Sequence, residues 1–175
     1  MTQVRNILIA ALAAASLSSV AHAQASASAN ATGSITIFRP ITVTKTSDLA
    51  FGTIVRPGSG SGTVTIAEAD GARSVTGGIA ALSIGTSPTR ATFSVGGEGG
   101  QTFSISTPAT MTLTRTGGSE TLTVNLTPTG TTGALSGTLG SVGAAAYGVG
   151  GNIEVASTTA SGAYTGSFTT TVAYN

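Results

Sequence analysis

Apolar residues in this chain recur at every second position within short runs. No stretch beyond residue 23 keeps the 3.6-residue apolar period of an amphipathic helix. The runs are Ile35 to Val43, Ala50 to Val55, Gly62 to Ala67, Arg90 to Val95, Thr102 to Ser106, Met111 to Thr114, Thr121 to Thr127, Asn152 to Ala156 and Tyr164 to Tyr174. Gly, Pro, Asn and Asp punctuate them, and strands at this spacing predict an antiparallel sandwich or barrel. "RPGSGSG" (Arg56 to Gly62) and "GGEGG" (Gly96 to Gly100) read as hairpin loops, because glycine tolerates positive φ. Pro40 cannot donate a ladder hydrogen bond, so its strand is expected to lie at an edge, to start there or to bulge. Residues 129–151 break the pattern and read as a long loop with one short strand around Ala134 to Leu139.

The first 23 residues fall outside this pattern. Arg5 precedes an uncharged Ala/Leu-rich run from Ile7 to Val20, and Ala21-His22-Ala23 has the small-x-small form of a signal-peptidase site. The run is shorter than the roughly 20 residues that cross a bilayer, so a cleaved export leader is expected over 1–23. No membrane span follows it, and the chain is expected in the periplasm in transit, then at the cell surface or outside. What remains suits a single domain. The expected division is the leader, an N-terminal extension over 24–34 and a domain over 35–175.

Seven Lys/Arg stand against six Asp/Glu, and loss of Arg5 with the leader balances them. The remaining cations (Arg39, Lys45, Arg56, Arg73, Arg90, Arg115) are scattered singly, which gives no electrostatic footing for nucleic acid or an anionic membrane. Cysteine is absent and the one histidine, His22, belongs to the leader. The usual nucleophile, general base and zinc ligands go with them, so neither an enzyme nor a bound metal or cofactor is expected. Glu68 and Asp70 are the one close carboxylate pair. They suit weak calcium binding or acid/base work if a strand runs through them, but Asp70-Gly71 is also a turn signal. Lys45 could activate a serine only if buried beside it, and "TKTSD" reads as a solvated turn. No glycine-rich stretch has the Lys-Ser/Thr ending of a phosphate loop. Asn30-Ala31-Thr32 and Asn125-Leu126-Thr127 match the N-glycosylation pattern, a match of little weight in a chain of bacterial appearance.

The two ends carry the functional reading. In "QASASANATGSITIF" the odd positions Ala25, Ala27, Ala29, Ala31, Gly33, Ile35 and Ile37 are small or apolar, and those between are polar. Such a segment is either a flexible tail or a strand in need of a sheet. In "GAYTGSFTTTVAYN" one face of a long final strand would carry Tyr164, Gly166, Phe168, Thr170, Val172 and Tyr174. The other face would carry Thr165, Ser167, Thr169, Thr171 and Ala173.

An alternating last strand with a penultimate tyrosine, preceded by glycine-rich loops, resembles the C-termini of chaperone–usher pilins. The whole chain after the leader is similar to a family of secreted bacterial domains known as domain of unknown function 4402. "RPITVTKTSDLAFGTI" (Arg39 to Ile54), "ATFSVGGEGGQTFSIS" (Ala91 to Ser106), "GGNIEVA" (Gly150 to Ala156) and "GAYTGSFTTTVAY" (Gly162 to Tyr174) carry that likeness. The pilin resemblance implies an immunoglobulin-like sandwich lacking its final strand. Its last strand would be held by a periplasmic chaperone, delivered to an outer-membrane usher and then paired by the next subunit. The missing strand would come from a neighbour's N-terminal extension, here Ala25 to Ile37, and such a head-to-tail contact does not close. This chain lacks the intradomain disulfide of many pilins. The expected function is thus a structural subunit of a surface filament. The alternative is a self-contained secreted or surface β-domain, for adhesion or matrix, that does not polymerise.

Overall fold

The structure, a computed structural model, describes residues 26–175. The expected leader, with Gln24 and Ala25 of the extension, lies outside them. The chain divides after Thr36 into two units. Of the first, Ser26–Thr36 forms no strand and is exposed throughout. The second, Ile37–Asn175, is an all-β sandwich in which every strand pair is antiparallel, and the described residues contain no helix.

The larger sheet is curled and is built around one long strand. Its members are β1 (Thr42–Ser47), β3 (Ser61–Ile66), β4 (Arg73–Val75), β6 (Ala91–Glu98), β8 (Thr110–Arg115), β9 (Thr121–Pro128), β11 (Val142–Ala156) and β12 (Tyr164–Thr165). They run in the order β1-β6-β11-β9-β8-β12, with the β3–β4 hairpin added to β11. The first half of β11 pairs with β6 through Val142 to Val149, and the second half with β3 through Gly151 to Ala156. A smaller sheet, β10 (Thr132–Ala134), β7 (Thr102–Ser106) and β13 (Thr171–Tyr174), covers it, and a ribbon of β2 (Thr53–Val55) and β5 (Ala80–Leu82) stands apart.

Register converts the period of two into a core. Val75, Val64, Ile153, Val124 and Met111 lie directly opposite one another across five strands. The neighbouring row, Ser74, Thr65, Asn152, Asn125 and Thr110, is polar and faces the other way. Val64 and Val124 are fully buried, and Phe103 and Ile105 of β7 join them in one cluster. Each such side chain contributes about 1.5–3 kcal/mol by leaving water.

Several expected boundaries move. The strand expected over Ile35 to Val43 begins only at Thr42, because Pro40 cannot enter a ladder, and β1 is an edge strand as expected. The loop expected over 129–151 holds β10 and the first ten residues of β11. Its glycines permit close approach: a methyl group on Gly150 would fall 2.6 Å from the Glu68 nitrogen and nearer still to the Ile66 carbonyl oxygen. Gly96 to Glu98 extend β6, and the turn beyond them leads to the other sheet instead of closing a hairpin. "RPGSGSG" likewise joins β2 and β3, which do not pair. Asp70-Gly71 does turn the β3–β4 hairpin, with Gly71 at φ +79°.

Candidate functional site

The residues with chemical potential are absorbed by the framework. Asp70 accepts the Ala72 N–H at 2.9 Å, and the Arg90 guanidinium caps the Glu68 carbonyl. Arg56, Arg73 and Arg115 likewise donate to main-chain carbonyls of loops and strand ends. Lys45 pairs with Asp48 at 2.6 Å in an exposed contact, while Ser47 is committed to the Arg90 carbonyl at 2.8 Å. The Asn125 side chain donates to Asn152 at 3.1 Å across two strands. Among the described residues no group of three His, Cys, Asp or Glu comes together.

One opening of the fold lies between its first and last strands. β1 pairs only with β6, and β13 only with β7, so each presents an unpaired edge. Phe38 and Arg39 meet Tyr174 at one end of this seam. At the other, Lys45, Asp48 and Leu49 face Gly166 to Phe168 across an open cleft of about 220 Å³. Buried Ala91 and Met111, with Phe93, line the cleft. Val43, whose partner Val95 is fully buried, remains 37 % exposed on the seam. Lys45 stands opposite Phe93, a charge on an open edge, which discourages indiscriminate strand pairing.

The C-terminal stretch keeps its expected alternation but not its continuity. Tyr164, Phe168, Thr170, Val172 and Tyr174 are buried or half-buried, while Thr165, Ser167, Thr169, Thr171 and Ala173 are exposed. The expected single strand is nevertheless broken. Tyr164–Thr165 joins β8 in the larger sheet, 166–170 cross over, and Thr171–Tyr174 joins β7 in the smaller. Gly166 is exposed on the crossing, against the expectation for its face. Phe168 anchors the crossing edge-on against Phe93, with ring centroids 6.2 Å apart. A hydroxyl chain anchors it too: Thr170 bonds Thr107 at 3.1 Å, and Thr107 bonds Tyr147 at 2.9 Å. Burial pushes the Tyr147 phenol above its ordinary range, so the chain stays protonated.

At the extension, Ala27, Ala29, Ala31, Gly33 and Ile35 are exposed and unpaired, as is Ile37 where the domain begins. Ile35 is 83 % and Ile37 77 % exposed.

One group was not anticipated. Glu98 is 2 % exposed, and its carboxylate accepts the N–H of Gly140 and the N–H and guanidinium of Arg39, the last at 3.2 Å. Its own N–H donates to the Tyr174 hydroxyl at 2.6 Å, and that hydroxyl donates to the Arg39 carbonyl at 2.9 Å. The sequence signal was a lone carboxylate among four glycines, Gly96 to Gly100. The Gly140 N–H, followed by Arg39, holds the Glu98 carboxyl below the usual carboxylate range against the opposing effect of burial. A lowered folded pKa adds stability above the unfolded value, near pH 4.3, that is lost as the pH falls through the folded value. Glu98→Gln is therefore expected to melt below the parent at pH 7 and to approach it at pH 3 in thermal melts. Glu120, lowered by its own N–H and by Arg115, titrates in both proteins and cancels in the comparison.

No curated protein and no solved structure matches the chain. The family model described as a domain of unknown function (DUF4402) matches residues 41–174, from the lead-in of β1 to the penultimate tyrosine, and the chain belongs to that family.

Proposed function

We propose that this chain is a structural subunit of a bacterial surface filament, and that each copy donates its N-terminal extension to the seam between β1 and β13 of the next. The observation that carries this reading is the pair Ile35 and Ile37, left in water on a β-patterned segment with no strand partner. Eleven residues, Ser26 to Thr36, span about 36 Å when extended, enough to line a seam bordered by residues 38 to 48. Burying each isoleucine contributes about 1.5–3 kcal/mol and each alanine methyl about 0.8 kcal/mol. Main-chain hydrogen bonds to two edges add about 0.5–1.5 kcal/mol each. Small side chains suit a shallow cleft, so most of the hold comes from the backbone.

Export behind the leader, protection of β13 by a periplasmic chaperone and delivery to an outer-membrane usher complete the reading. The alternative, a secreted or surface domain that does not polymerise, draws on the contact of Tyr174 with Arg39, which ties the seam at one end. Electron microscopy of the chain with and without Gln24–Ser34 separates them. The complete form is expected to build fibres that resist detergent until heated, and the shortened form to stay monomeric. Fibres from the shortened chain, or none from either, would contradict the proposal.

A further inference from the structure

We infer that the Tyr174 hydroxyl is a latch that holds one end of the seam shut until an incoming strand displaces it. This rests on the strand-donation reading above and adds a direction and a barrier to it. The hydroxyl sits between the two edges that a guest strand must separate. It donates to the Arg39 carbonyl on the β1 side at 2.9 Å, although it belongs to the last residue of β13. The Glu98 N–H fixes it from below at 2.6 Å, and the Glu98 carboxylate grips the Arg39 N–H and guanidinium. Edge-on contact of the Tyr174 ring with Phe38, centroids 5.7 Å apart, completes the closure. Gly97 is shaped around the latch: a methyl group there would collide with the Tyr174 hydroxyl.

The far end differs. Between Lys45–Asp48 and Gly166–Phe168 there is an open cleft, with Ala91, Phe93 and Met111 among its lining beside the polar Lys45, Asp48 and Ser167, and no hydrogen bond across it. The exposed ion pair Lys45–Asp48 costs little to rearrange. A guest strand therefore enters at the Asp48 end, zips toward Arg39 and opens the latch last. The latch keeps a lone subunit closed and makes full insertion the slow step.

Uptake of a fluorescein-labelled peptide of sequence Gln24–Phe38, in large molar excess over the complete chain while that chain is still monomeric, followed by anisotropy, tests the inference. Tyr174→Phe keeps the ring over Phe38 and removes only the hydroxyl. Gly97→Ala leaves Tyr174 intact but takes its place. Two hydrogen bonds of ordinary net worth correspond to about a ten- to hundredfold change in the opening equilibrium. Both variants are expected to take up peptide about that much faster, with the amides of Val95 and Val149 still protected from exchange. Equal rates in parent and variants, or slower uptake by Tyr174→Phe, would overturn the latch while leaving strand donation standing. Absence of peptide binding in all three would overturn both.

Discussion

Phe103→Ala will destabilise the domain by about 3–5 kcal/mol, the usual cost of deleting a buried aromatic ring. Phe103 is 1 % exposed at the centre of the small sheet, opposite Gly133 on one side and Tyr174 on the other. Its ring occupies the space above Gly133, where a methyl group would fall 2.5 Å from the ring edge. Most other members of the core are Val, Ile, Leu and Ala, and the chain has no disulfide to limit the damage. Against a total stability of about 5–15 kcal/mol the loss is severe. For a domain of this size it lowers Tm by about 6–20 °C. Thermal unfolding followed by circular dichroism measures it. A shift below about 2 °C would mean that the small sheet does not depend on this ring to pack on the large one.

The fold was legible where side-chain chemistry alternates. The strands from Gly62, Arg90, Thr102 and Thr121 lie close to where Val, Ile, Phe and Thr placed them, because one face meets the core and the other meets water. The first half of β11 was not legible. "VGAAAYGVGG" has too few large side chains to show alternation, and it is a strand because its neighbours approach a nearly bare backbone. β4 and β5, three residues each, are too short to carry a period. The last strand shows a third kind of limit. Its alternation holds through Tyr174 except at Gly166, yet two short pieces in different sheets present nearly the same faces as one long strand.

The site was half legible. The C-terminal side of the seam showed its alternation in the sequence, but the tie from Arg39 to Tyr174 depends on Glu98, whose partners Arg39, Gly140 and Tyr174 lie far from it in sequence. A lone carboxylate among glycines shows that something is unusual there; it does not name the partners.

Alternation in the extension separates a donated strand from a tail. In an inserted strand the odd positions face the apolar seam and the even ones face water. Aspartates at Ala27, Ala29 and Ala31 would then bury three unpaired carboxylates, each costing several kcal/mol, and assembly would fall below detection. Aspartates at Ser28, Asn30 and Thr32 add the same charge to the exposed face and would leave assembly nearly unchanged. Charge and length match in the two triple variants, so the side that carries the aspartates is the main difference between them. Sedimentation velocity of both, beside the parent chain, is the most direct measurement of the central claim. Strand donation predicts that the odd-position variant stays monomeric while the even-position variant polymerises like the parent. Equal assembly by both variants, or equal loss in both, would contradict it.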